Sequence, residues 1–241
     1  MTIESLGEKP GHTRQQGAPA AVPEPEGLGL DPAFSRSQLV INHIVAGLRD
    51  GRYGPGQTLV AAELMKELGL SKAPVREALH LLVGEGMIEL LPNRSVRLTR
   101  LDSHDVRGFL DVWSSLGGTS LRLAAHAIGR GADGRVLAAR IGGVSAAAGR
   151  GITYEFLMSI ADYHRAAAEL GGNRFVQRFI GLAHFEHTYR HLVTLMPVLP
   201  FREYADRFAG VHEAVTAGDG KRAERLFRAH MDWVAGLLRS A

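Results

Sequence analysis

The chain has 241 residues, 28 lysines and arginines against 25 aspartates and glutamates, and no cysteine. That length suits two compact domains or one large one, and the missing thiols exclude disulfides and thiolate metal ligands and suit a reducing cytoplasm. No apolar run reaches bilayer length, the start lacks the basic-then-apolar pattern of a secretory signal, and a net charge of +3 permits nucleic-acid binding without demonstrating it.

Residues 1–34 are rich in Gly, Pro, Ala and Glu, show no periodicity and carry only Lys9 and Arg14 as cations, so a disordered tail is expected. From Ser35 to Asp50 the spacing of Leu39, Ile44, Val45 and Leu48 predicts a helix. Arg52 to Gly56 is a turn, and Leu59-Val60 a short strand. Ala61 to Leu68 reads as a second, short helix, and Gly69-Leu70 as a tight turn into a third.

The third helix starts at Ser71, a residue that can cap by accepting a bond from a first-turn amide. Pro74 loses nothing there, because first-turn amides have no helical partner. Val75, Ala78, Leu79 and Leu82 form an apolar face, while Lys72, Ala73, Arg76 and His80 fall on the solvent side. Gly84 and Gly86 break the helix. Ile88 to Leu90 and Val96 to Thr99 then alternate as half-buried strands, with a turn at Pro92-Asn93-Arg94-Ser95. Lys72 and Arg76 alone are compatible with an ordinary solvated helix face. Two helices across a glycine turn, followed by a hairpin with a cationic tip, form a unit that can address one duplex twice. Ser35 to Arg100 carries nine cations against six anions.

With those residues in view, this stretch resembles the winged helix-turn-helix of the GntR family of bacterial transcription regulators. The resemblance runs through Pro55-Gly56-Gln57-Thr58-Leu59, Ala62-Glu63-Leu64, Leu68-Gly69-Leu70-Ser71, Pro74-Val75-Arg76-Glu77-Ala78-Leu79 and Glu85-Gly86. It implies that Lys72, Ala73, Arg76 and His80 meet DNA, with Asn93 and Arg94 at the wing tip. The family usually has Arg at the Lys72 position and often a hydroxyl residue at Ala73, which implies an altered operator.

From Asp102, a candidate cap, to Ile128 a long helix is expected, with Gly117-Gly118 as a kink. Further helices are predicted over Arg135 to Ala148, Thr153 to Leu170, Phe175 to Met196, Phe201 to Ala217 and Lys221 to Leu238, with Pro197 and Pro200 as breaks. Six helices without a strand make a bundle. The expected fold is therefore mainly α: a winged helix-turn-helix over 35–101, then an all-helical effector-binding and dimerisation domain over 102–241. This second half resembles the FadR-like branch of the family, whose helical FCD domain senses a ligand.

Many such domains hold a divalent metal, zinc or nickel, through an Asp, a His four residues on, and two further His. Matched by surrounding motif, these places fall on Ile160, His164, Phe208 and His230, with His212 one turn beyond Phe208 as a possible replacement. The expected site is a degraded one, with His164, His212 and His230 as the remaining metal candidates and an organic effector among Trp113, His164, Phe208, His212 and His230 as the favoured occupant. Trp113 and Gly117 stand where the family often has Arg and Glu; a Trp favours an apolar or aromatic ligand, though it can equally be core. His184, His187 and His191 share one side of the predicted 175–196 helix, as a metal or pH-sensitive patch or as border residues.

The function expected is a non-enzymatic transcription regulator that binds a palindromic operator as a homodimer, answers a small-molecule effector and has no membrane partner. Rival readings are a metal-dependent enzyme and a protein-binding helical module. The chain offers no HExxH and no nucleophile elbow for the former.

Overall fold

The computed structural model describes residues 32–92, 95–195 and 199–238, with side chains from Arg36 onward. Of the tail expected over 1–34, residues 1–31 lie outside the described residues, as do the wing-tip pair Asn93 and Arg94 and the Pro197 break, while residues 32–34 belong to the first helix rather than to a tail.

Two hydrophobic cores organise the chain, and we call the corresponding parts the head and the body. The head comprises α1 (Pro32–Asp50), β1 (Thr58–Leu59), α2 (Ala61–Leu68), α3 (Lys72–Gly84), β2 (Ile88–Leu90) and β3 (Val96–Leu98). The first helix starts three residues before Ser35, on a proline whose fixed φ suits a helix start. Val40, Ile44 and Leu48 of α1 pack with Leu64, Val75, Ala78 and Leu82. The strands form an antiparallel sheet in the order β1-β3-β2, with Glu89 opposite Arg97. Gly69 ends α2 in the left-handed conformation, with φ 64°, and so makes the turn into α3.

The body comprises α4 (Ser103–Gly129), α5 (Arg135–Arg150), α6 (Thr153–Gly171), α7 (Arg174–Gly181), α8 (Phe185–Leu195), α9 (Phe201–Thr216) and α10 (Gly220–Leu237). The central helix α4 packs against α6, α9 and α10. Asp102 caps it: its Oδ1 accepts from the amides of His104 (2.8 Å) and Asp105 (2.9 Å), and its own amide donates to Asp105 Oδ2 (3.0 Å).

Three expectations need correction. The helix predicted over 175–196 is two helices, parted at Leu182-Ala183-His184, with His184 in the left-handed region at φ 44°. Apolar spacing continues across the gap and no proline marks it, so periodicity alone runs through it. Gly117-Gly118 does not interrupt α4. A Cβ at Gly117 would lie 2.7 Å from Cε1 of Phe227, so the glycine admits α10 to close approach. Ser71 occupies the N-cap position of α3 in extended backbone, but its hydroxyl makes no cap bond. The usual partner three residues on is Pro74, which has no N–H.

Candidate functional site

Burial of Pro74, Val75, Ala78, Leu79 and Leu82 turns Lys72, Ala73, Arg76 and His80 of α3 to solvent, as helical spacing requires. Glu77, the carboxylate beside Arg76, faces away: its Oε2 accepts from Ser37 Oγ of α1 at 2.6 Å. Among the described residues neither Lys72 nor Arg76 enters an ion pair. Both cations rim a groove of about 540 Å³ between α3 and the β2–β3 hairpin, floored by Leu79, Val83, Leu90 and Val96. On the hairpin, Arg97 Nε meets Glu89 Oε1 at 2.9 Å. A cationic helix face beside a hairpin has the form and charge for a phosphate-lined groove.

In the body, Trp113, His164, Phe208 and His230 are all buried, and they come from four helices. The Trp113 and His164 ring centroids are 4.7 Å apart, and Phe227 stands 4.8 Å from His164. Phe208 lies 5.7 Å from His164 and 6.0 Å from His230, bridging the two imidazoles. All four ring nitrogens of His164 and His230 are buried without a hydrogen-bond partner. Burial pushes both imidazoles down to about 3, with His230 adding to the effect on His164 and Arg207 to that on His230. Both are therefore neutral, each with an unused donor and an unused acceptor. His212 is half-buried and engaged: its Nδ1 lies 2.9 Å from the hydroxyl of Tyr163.

The histidine set does not fit a metal centre. Among the described residues, only Asp102, His104 and Asp105 bring three ligand atoms within 4.8 Å of one another; they are exposed, and the two aspartates form the cap of α4. His164, His212 and His230 do not converge in that way, and Ile160 and Phe208 fill their places with apolar side chains. A zinc or nickel ion would find two imidazoles in an aromatic setting and no carboxylate among them.

The three histidines expected on one helix side sit instead between head and body. His184 lies in the break, its Nε2 at 3.0 Å from Glu85 Oε2 of the head. His187 donates from Nε2 to the Thr99 carbonyl at 2.8 Å, and His191 from Nδ1 to the His187 carbonyl at 3.1 Å. Glu186 Oε1 accepts from Arg49 of α1 (2.8 Å) and from Arg165 of α6 (2.9 Å). Burial raises the Glu186 carboxyl, but the two guanidiniums outweigh it and hold the group below the usual carboxylate range. Arg190 donates to the carbonyls of Leu48 (2.6 Å) and Arg49 (2.7 Å), capping the C-terminal end of α1, and its guanidinium stacks 3.7 Å over Tyr154. Sequence reasoning missed this junction; the only signal for it was the density of charged and titratable residues over 184–191.

The family profile described as bacterial regulatory proteins, gntR family, matches residues 36–98, and that of the FCD domain matches residues 109–232. The HTH-type transcriptional regulator BphR of Paraburkholderia xenovorans is 22% identical over 192 residues, 78% of each chain. A probable D-xylose utilization operon transcriptional repressor of Paenarthrobacter nicotinovorans is 24% identical over 196 residues, 80% of this chain and 84% of that one. The solved structure of E. coli McbR/YncC has the same fold, with a TM-score of 0.71 at 18% identity over 85% of this chain and 97% of that one. A putative GntR transcriptional regulator from Rhodococcus sp. RHA1 has a TM-score of 0.70 at 18% identity, over 86% and 99%.

Proposed function

The chain belongs to the GntR family of bacterial regulatory proteins, as a transcriptional regulator with an FCD domain, and from that premise we propose that it binds a two-fold operator as a homodimer under the control of a small aromatic effector. In this reading residues 35–101 read DNA and residues 102–241 sense and dimerise. Each protomer lays α3 in the major groove of one half-site, because a two-fold protein matches a two-fold site. Lys72, Ala73, Arg76 and His80 face the base edges and phosphates, and Asn93 and Arg94 engage the duplex at the wing tip. The observation that carries this is the exposed Lys72 and Arg76 on one face of α3, without carboxylate partners among the described residues.

The effector binds in the body, at the unpartnered imidazoles of His164 and His230. Rings of Trp113, Phe208 and Phe227 around two neutral imidazoles favour an uncharged aromatic compound bearing a hydrogen-bonding group. Dimerisation uses the apolar groove of about 760 Å³ between α4 and α7, where Val112, Phe179 and Leu182 stand exposed. The protein works by binding, without a catalytic step, in the cytoplasm where its DNA lies.

The test is operator binding. A duplex selected from a random library by the wild-type protein should bind Arg76→Ala about 1–3 kcal/mol more weakly at fixed salt, with relaxed preference at one base pair. Equal affinity would remove Arg76 from the interface and, with it, this placement of α3.

A further inference from the structure

The sensing core and the head–body junction are built on neighbouring residues of two helices. On α6, His164 points into the aromatic core, and the next residue, Arg165, reaches Glu186 at 2.9 Å. At the start of α8, Phe185 packs on Trp113 with ring centroids 4.7 Å apart, and the next residue, Glu186, takes Arg49 of the head at 2.8 Å. The Arg165 guanidinium also donates to Asp162 Oδ1 at 2.7 Å and lies over the Phe185 ring, its carbon 5.3 Å from the centroid.

The two arginines share one oxygen, Oε1, of a buried carboxylate. A buried charge cannot let go of one cation at no cost, because losing a partner leaves it undersolvated. A shift of Arg165 therefore displaces Glu186 and, through it, Arg49. The head has little freedom to ignore that displacement, since Arg190 of the same helix holds the last carbonyls of α1. Among the described residues, His164, Trp113 and Phe185 are one residue or one ring contact away from this clamp.

We infer that Glu186 is a positioning residue that couples the aromatic core of the body to the orientation of the DNA-binding head, through Arg165 on one side and Arg49 on the other. The inference rests on the effector reading for its trigger, and on geometry alone for the coupling. A ligand at His164 that moves α6 or the Trp113–Phe185 stack would turn the head by way of this one carboxylate, which is coupling between two sites through a shared element.

The chain has no cysteine, so two introduced thiols label cleanly. Glu63→Cys on α2 and Arg140→Cys on α5, both exposed, would carry nitroxides in the full-length protein, diluted with unlabelled chain so that only intrachain distances count. Pulsed electron spin resonance should give one narrow head–body distance distribution in the wild type and a broadened one in Glu186→Gln. Arg49→Ala, which removes only the exposed head-side partner, should broaden it likewise and serves if Glu186→Gln lacks the wild-type circular dichroism. His164→Phe or Trp113→Phe should shift the distribution when Glu186 is present and leave it where it is in the Glu186→Gln background. An unchanged distribution in both clamp variants, or a core-induced shift of equal size with and without Glu186, would overturn the inference. Calorimetric titration with p-cresol separates the two readings: no uptake of p-cresol with a Glu186-dependent shift removes the ligand assignment and upholds the coupling. Uptake with a Glu186-independent shift does the reverse.

Discussion

His164 and His230 illustrate how burial, with a smaller push from a neighbouring group, fixes the state of a titratable group. Each is held down to about 3, against 6.5 for an ordinary imidazole. The folded value is depressed, so between about pH 6.5 and 3 the unfolded chain binds protons that the folded chain refuses. Stability is complete above that window and falls as pH drops through it, by up to about 1.4 kcal/mol per pH unit for each histidine. His187, pushed down to about 4 by burial, adds to the same slope. The midpoint of urea unfolding should therefore fall between pH 7 and pH 5. His164→Phe should make that fall shallower by roughly one histidine's share; an unchanged slope would mean that His164 is solvated in the folded protein.

At the scale of elements, α4 shows the same residue type in two opposite roles. Gly108 is exposed and a Cβ there meets nothing within 4 Å. Gly117 is buried, and a Cβ there lies 2.7 Å from Cε1 and 2.9 Å from Cζ of Phe227, a ring with no exposed surface in which to retreat. Gly108→Ala should stabilise the protein by about 0.5–1 kcal/mol through helix propensity. Gly117→Ala should destabilise it by about 1–3 kcal/mol through overpacking between α4 and α10. Thermal unfolding of the two variants should move in opposite directions, and a shared direction would show that the α4–α10 approach is looser than 2.7 Å implies.

At the scale of the whole molecule, the groove between α4 and α7 is an apolar surface left uncovered among the described residues. Val112 is 67% exposed, Phe179 57% and Leu182 43%, large side chains that a soluble monomer seldom groups together. Seated against the same face of a second copy, they would form the two-fold interface that a two-fold operator requires. Phe179→Glu places a charge in that groove, and sedimentation velocity should show the proposed dimer for the wild type and a monomer for the variant at the same concentration. A wild-type mass for the variant would move the interface elsewhere.

The head was largely legible in the sequence because its signals are local. Val75, Ala78, Leu79 and Leu82 at helical spacing fix which side of α3 is buried, Gly69 supplies the positive φ of the turn, and alternation over 88–90 and 96–98 makes the hairpin. The same local signals gave the helices of the body but ran through the break at His184 and read Gly117 as a kink. Nor did spacing reveal that His164 and His230 share aromatic walls while His212 turns to Tyr163, or that Arg49 and Arg165 meet on Glu186. Periodicity records which face of an element avoids water, a property each short segment carries by itself. Which charged side chain finds which partner across 137 residues, as Arg49 finds Glu186, is decided only when the helices pack and a buried carboxylate must be neutralised by whatever cations the fold brings within reach.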